Sequence, residues 1–311
     1  MYVNTKVILE KAHKEGFGVA ALNINNLEFL QAIIESGVEK KSPVIIQTSQ
    51  GALKYAGDGD VFRGARLFVK MTREFADSVD IPVALHLDHG SKLDNIMACI
   101  QAGYSSVMID ASHHNFEENM AITKKIVEIA HNANISVEAE LGQLAGIEDD
   151  VQAEHSVLVD PMEAKQFVET TGVDFLAPAI GTSHGAFKFK GEAKLDFDRL
   201  AKVKELTGIP LVLHGASSVV PKFVEIAESY GADFGGSKGV PADVLKQCVQ
   251  GGISKVNTDT DLRMAFVAGL REYLTKNPKE FDPRNYFKTA KEYVKEVIED
   301  RMEVLGSVGK A

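Results

Sequence analysis

Cysteine is scarce in this chain of 311 residues: Cys99 and Cys248 are the only two, each in a helix-like segment among apolar neighbours. Two such residues make no disulfide framework and read as reduced core thiols of a cytosolic protein. Long hydrophobic runs are missing too. No apolar stretch approaches the ~18 residues that cross a bilayer. The opening Met1-Tyr2-Val3-Asn4-Thr5-Lys6 lacks the apolar core of a secretory signal, so a cytoplasmic location is expected. Positive charge is in deficit, with 34 Lys+Arg against 44 Asp+Glu and a formal net charge of −10. Such a field argues against nucleic acid or an anionic membrane as partner. A phosphorylated small molecule would need a local cradle of backbone N–H groups and a few cations. Repeats, low-complexity segments and a G-x-G-x-x-G after the first strand are also absent.

What is present is an alternation. With 45% hydrophobic and 25% charged residues the composition is that of an ordinary soluble globular protein. Short β-branched runs recur between helical patterns, and predict eight strands: Gly18–Asn23, Pro43–Ser49, Pro82–Leu87, Ser105–Asp110, Ile135–Leu141, Asp174–Pro178, Pro210–His214 and Ile253–Asn257. Runs such as Val44-Ile45-Ile46 are continuously apolar, as strands covered on both faces should be. Between them Leu27, Leu30, Ile33, Ile34 and Val38 repeat with the helical period, and Asp160-Pro161-Met162-Glu163 and Asn115-Phe116-Glu117-Glu118 read as helix starts. The pattern predicts an α/β fold, a closed (β/α)₈ barrel, as one domain over 1–311. Residues 277–311 exceed the eight units. Their amphipathic helix (Tyr293, Val294, Val297, Ile298, Met302, Leu305) leaves open whether it covers the barrel or meets another subunit; a homodimer or homotetramer is expected.

The strand ends differ in chemistry. Strands begin at Gly18, Pro43, Pro82, Ser105 and Pro210, which is structural punctuation. They end at Asn23, Ser49, Asp88–His89, Asp110, Glu140, His214 and Asn257–Asp259, with His184 just after strand six. In a barrel these ends share one face, the face where barrel enzymes do chemistry. Three histidines there, His89, His184 and His214, point to a catalytic divalent metal such as zinc with an open position. A lone histidine would more often be a satisfied polar group. His86 reads as structural, and His13, His113, His114, His131 and His155 as surface or capping groups. Glu138 and Glu140 are two apart and face the same side, which invites a cation or a raised pKa; a plain salt-bridge network fits Glu138 better than Glu140. The acidic segment Gly142–Asp160 reads equally as a lid carrying Glu148 or as a solvated loop. His214-Gly215-Ala216-Ser217-Ser218 and Asn257-Thr258-Asp259-Thr260-Asp261 suit phosphate between the last two strands, with Ser217 and Thr260 as hydroxyl donors and Lys188, Lys190 and Arg263 as available cations.

Five segments in order resemble the motifs of class II fructose-bisphosphate aldolases: Pro82–Gly90 (PVALHLDHG), Val137–Glu148, Gly181–Gly185 (GTSHG), His214–Ser217 and Asn257–Asp261. The compact length is similar to the shorter branch, which includes tagatose-bisphosphate aldolases. The resemblance spans essentially the whole chain. It implies a zinc-dependent lyase of glycolysis and gluconeogenesis that acts on a ketose bisphosphate and its triose phosphates. His89, His184 and His214 would hold zinc, with Asp110 and Glu140 offering an alternative place for it or for a second divalent ion. Asp88 would serve the C4 hydroxyl as acid/base, and Glu148 would exchange the proton at the nucleophilic carbon. Gly185, Gly215, Ser217, Asp259 and Thr260 would bind the dihydroxyacetone phosphate end, with Asn257 near its hydroxyl and carbonyl. Gly185 and Gly215 carbonyls would hold a monovalent cation (Na⁺ or K⁺). Asn23 and Ser49 would touch the other half, and Arg263 its phosphate. Leu144-Ala145 replaces a glycine-richer stretch of the family motif. Three competing readings remain: a tagatose 1,6-bisphosphate aldolase, a zinc hydrolase and a non-catalytic phosphosugar-binding barrel. A Schiff-base mechanism would choose Lys255.

Overall fold

The computed structural model describes the chain except residues 145, 149–150, 154–155, 184–194 and 237 and the side chains of 146–148 and 151–153. Strands β1 (Val19–Asn23), β2 (Val44–Thr48), β3 (Val83–Gly90), β4 (Ser106–Ile109) and β5 (Ser136–Leu141) are followed by a short hairpin, β6 (Gly146–Glu148) and β7 (Val151–Ala153). Then come β8 (Phe175–Pro178), β9 (Leu211–Leu213) and β10 (Ile253–Thr258). Eight of them close a barrel in the order β1-β2-β3-β4-β5-β8-β9-β10, and every pairing in it is parallel. All eight coincide with the segments expected from the apolar runs.

Alternation along the strands creates two cores. Ala20, Leu22, Ile46, Val83, Leu85 and Leu87 face the surrounding helices. Val19, Ala21, Ile45, Ala84, Phe175, Ala177 and Val212 point inward and meet Ile8, Leu9 and Ala12 of helix α1 (Thr5–Glu15). This helix, absent from the expected elements, seals the N-terminal end of the barrel. Its start is written locally: Asn4 Oδ1 accepts from Lys6 N at 2.8 Å, a cap of the type worth about 1 kcal/mol. Thr5 Oγ1 is hydrogen-bonded to the hydroxyl of Ser106 at 2.6 Å, inside the barrel.

In helix α2 (Leu27–Lys40) Leu30, Ile33 and Ile34 are buried as expected, but Leu27 and Val38 are 43% and 45% exposed. At 3.6 residues per turn these two fall roughly 70–90° from the centre of the stripe formed by Leu30, Ile33, Ile34 and Gly37, on its flank. The two expected helix starts hold. Asp160 Oδ1 accepts from Met162 N and Glu163 N at 2.7 and 3.1 Å, and Asn115 Oδ1 from Glu118 N at 3.0 Å. The segment read as a lid or a solvated loop contains the antiparallel β6–β7 hairpin, which places Glu148 opposite Val151. The C-terminal helix α12 (Pro283–Leu305) buries Val294, Val297, Ile298, Met302 and Leu305 on its own barrel. It meets helix α11 (Thr260–Lys276) so closely that a Cβ on Gly269 would lie 2.6 Å from Ala290 Cα. No helix among the described residues is long and apolar enough to cross a membrane.

Candidate active site

Consecutive residues of a regular strand point to opposite faces, yet Asp88 and His89 both reach the barrel mouth. The register explains this. Leu87 pairs with Val107 and Gly90 with Ile109, so β3 carries one more residue than β4 across that interval. The extra residue forms a bulge of the kind that re-aims side chains beside active sites. His89 absorbs it in a left-handed conformation, φ +45°, a strain of order 1–3 kcal/mol for a residue other than glycine.

Around this bulge the acidic and imidazole groups are buried together: Asp88, His89, Asp110, Glu140 and His214 are each at most 4% exposed. His89 Nδ1 lies 2.8 Å from Asp110 Oδ2. Burial alone would raise the Asp110 pKa, but His89 and Ser112 outweigh it and hold the carboxyl well below its usual range. An ionised carboxylate only accepts, so Nδ1 carries a proton, and Nε2 is the nitrogen left to face a metal. The ring of His214 stands edge-on to that of His89 at 4.6 Å between centroids. Its Nε2 donates to Glu138 Oε1 at 2.7 Å, and its Nδ1 is 3.1 Å from Glu140 Oε2. Two sets, Asp88–His89–His214 and His89–Asp110–Glu140, bring nitrogen and carboxylate donors within 4.8 Å of one another. Buried imidazole and carboxylate donors that converge in this way fit a divalent cation. His184 and Gly185 lie outside the described residues. The last described residue before them is Ser183, whose carbonyl oxygen would sit 2.4 Å from a Cβ on Gly215, a residue at φ +60°.

A polar network fills the barrel beneath the bulge. Asp88 Oδ2 accepts from Asn23 Nδ2 at 2.9 Å and Gln47 Nε2 at 3.1 Å, and Asp88 Oδ1 from Asn257 Nδ2 at 3.0 Å. Gln47 Nε2 also donates to Asn23 Oδ1 at 2.7 Å. Lys255 Nζ donates to Asn257 Oδ1 at 2.7 Å and lies 2.9 Å from Glu138 Oε2. Of the readings of the paired glutamates, the salt-bridge network holds for Glu138, which is paired with Lys255 and His214. Burial opposes its ionisation, but Lys255 and His214 hold its pKa well below the usual range. His86, expected to be structural, has a Nδ1···Ser106 Oγ separation of 2.7 Å; burial and Lys255 push its pKa down, leaving it neutral. Sequence reasoning missed Gln47, although one amide within Val44-Ile45-Ile46-Gln47 was a signal. It weighed Lys255 only as an amine nucleophile.

A family model for "Fructose-bisphosphate aldolase class-II" matches residues 3–310. The chain belongs to the class II fructose-bisphosphate aldolases. It is 53% identical to the fructose-bisphosphate aldolase of Helicobacter pylori, with 100% of both chains covered, and 50% identical to that of Thermus caldophilus, again over 100% of each. Among solved structures, the YdjI aldolase of Escherichia coli K12 superposes with a TM-score of 0.78 at 30% identity over 100% of both chains. The fructose-bisphosphate aldolase of Campylobacter jejuni superposes with a TM-score of 0.80, covering 100% of this chain and 97% of that one, and at 24% identity shows the shared fold.

The remaining expected residues of this aldolase lie on the same rim. Ser49 caps the next helix by accepting from Ala52 N at 3.2 Å. Ser217 is buried after β9, Thr260 opens α11, and Arg263 Nε donates to Asp259 Oδ1 at 2.7 Å with its side chain 47% exposed. Between Ser217 and α11 the chain is tightly held. Asp261 accepts from Ser218 N and Val219 N and is ion-paired at 2.7 Å with buried Arg301 of α12. Val219 is at φ +52°, unusual for a β-branched residue.

The proton on His214 has a testable consequence. Burial would lower its pKa, but the adjacent Glu138 and Glu140 outweigh it and raise it to about 9. In the metal-free protein the ring is therefore charged at neutral pH, and a metal on Nδ1 must displace a proton. Metal affinity is expected to rise about tenfold per pH unit up to pH 9 and then level off. Calorimetric titrations of metal-free protein at pH 7.5, in buffers of different ionisation enthalpy, should report about one proton released. An affinity that stays constant from pH 6.5 to 8.5 would show the ring to be already neutral.

Proposed function

We propose that this aldolase cleaves fructose 1,6-bisphosphate reversibly to dihydroxyacetone phosphate and glyceraldehyde 3-phosphate, with zinc held by His89, His184 and His214. The observation that carries this reading is the β3 bulge, which sets a carboxylate fixed by three amides beside the metal donors. When bound, a divalent ion supplies positive charge next to the ketone oxygen, where negative charge gathers as the neighbouring bond breaks. Asp88 takes the proton from the C4 hydroxyl. The C3–C4 bond then breaks, C4 leaves as an aldehyde, and the electron pair passes to C3 and the adjacent carbonyl. Glu148, on β6, returns a proton to C3. Asp110 orients His89, and together with Glu140 offers a second position for a divalent ion.

Gly185, Gly215, Ser217, Asp259 and Thr260 bind the dihydroxyacetone phosphate end near the N-terminus of α11, where the helix dipole favours an anion. Gly185 and Gly215 carbonyls would hold a monovalent cation there, and Asn257 would face the hydroxyl and carbonyl. Asn23 and Ser49 serve the triose half, and Arg263 its phosphate. Chelation should abolish cleavage of fructose 1,6-bisphosphate, and one equivalent of zinc should restore it. Cleavage that persists after metal analysis confirms removal, or trapping of the substrate on Lys255 by borohydride, would overturn this mechanism.

A further inference from the structure

Lys255 is fully buried inside the barrel, at 0% exposure, and the steps above give it no part. We propose that it is a positioning residue of the aldol reaction: its ammonium sets the polarity of the Asn257 amide and thereby the donor side of Asp88. The inference rests on the aldolase reading.

An ammonium can donate but never accept. With Nζ 2.7 Å from Asn257 Oδ1, the amide has one orientation, Oδ1 towards Lys255 and Nδ2 towards Asp88 Oδ1 at 3.0 Å. Flipped, Asn257 would turn its carbonyl oxygen on the Asp88 carboxylate oxygen and its N–H groups on the ammonium, and both hydrogen bonds would be lost. The other two donors to Asp88 brace each other, because Gln47 Nε2 also reaches Asn23 Oδ1. Among the described residues Asn257 has no such amide neighbour, and its orientation is set by the charge behind it. The ammonium also divides the Glu138 carboxylate, taking Oε2 at 2.9 Å and leaving Oε1 to His214 at 2.7 Å. One buried cation thus touches the supports of both the acid/base and a metal-side imidazole. An ammonium paired with a carboxylate has no lone pair for a carbonyl, so the same geometry argues against Lys255 as the nucleophile.

A plainer role would be to neutralise Glu138 and nothing more. The double variant Lys255→Met/Glu138→Gln separates the two, since it removes the cation together with the charge that needs it. If Lys255 only compensates charge, the double variant regains thermal stability, metal content and kcat together. If it positions Asn257, stability and metal stoichiometry return while kcat on fructose 1,6-bisphosphate stays about 10–100-fold low, because small misplacements near the reacting atoms cost that much. KM should move less than about threefold.

A mutant cycle supplies the second readout. In the Glu138→Gln background, Lys255→Met should add little to the kcat loss of Asn257→Ala if it acts through that amide, and should multiply it if it acts independently. Should the double variant not fold, Lys255→Leu/Glu138→Gln takes its arm, under the same criterion. Recovery of kcat in the double variant, or multiplicative losses in the cycle, would overturn the proposal. Failure of the unmodified metallated protein to cleave fructose 1,6-bisphosphate would instead overturn the substrate assignment.

Discussion

Asp88→Asn is expected to lower kcat by about 10²–10⁴-fold, the usual worth of a positioned general acid/base, while the protein keeps its full metal content. The carboxylate offers only acceptors, and three amide N–H groups, from Asn23, Gln47 and Asn257, are aimed at it. Together they engage both carboxylate oxygens and fix the rotamer. An asparagine in its place can abstract no proton and must turn its own N–H groups towards one of those donors, so the local packing suffers as well. Steady-state cleavage of fructose 1,6-bisphosphate with metal analysis on the same sample checks the prediction. A kcat within threefold of the unmodified enzyme would remove Asp88 from the chemistry.

His89→Ala should act on the metal first. A four-ligand zinc site binds with about 10–16 kcal/mol, so one ligand is worth roughly 3–4 kcal/mol, or about 10²–10³ in affinity. In a metal-buffered assay set near the unmodified protein's dissociation constant, activity should vanish, and excess metal should return only a fraction of it. The same substitution deprives buried Asp110 of the imidazole that lies 2.8 Å away, a loss of about 1–3 kcal/mol of stability in the metal-free state. Asp110→Asn is the informative companion. It keeps the nitrogen ligand but loosens its tautomer and orientation, and affinity should fall only about 10–100-fold. Equal losses in both variants would mean that Asp110 does more than orient His89.

The barrel was legible because parallel strands buried on both faces read as continuous apolar runs, and each of the eight matched an expected segment. The rim was legible because polar residues gathered at one end of those runs. Other features had no local signature. Nothing in Leu87-Asp88-His89-Gly90 announces an extra residue, since a bulge is a relation between two strands, and the way Asp88 and His89 come to share a face was hidden. The partner of Lys255 is Glu138, more than a hundred positions away, and only closure of the barrel brings the two together. Helix α1 precedes the first strand and so falls outside the alternation, and its Asn4 cap was the one local signal of it. Leu27 and Val38 were misjudged because an apolar stripe has flanks as well as a centre.

The interior of the barrel is built in two storeys. The floor, sealed by α1, holds Val19, Ile45, Phe175 and Val212 by packing alone, and volume-conserving exchanges in such places usually cost less than about 1.5 kcal/mol. The storey above is written residue for residue, in hydrogen bonds that run from the amides around Asp88 to the Lys255–Glu138 pair. The two can therefore evolve at different tempos: the floor drifts one residue at a time, whereas the upper storey is inherited as a block. A new activity on this scaffold would come from replacing that block whole, over a floor that need not change.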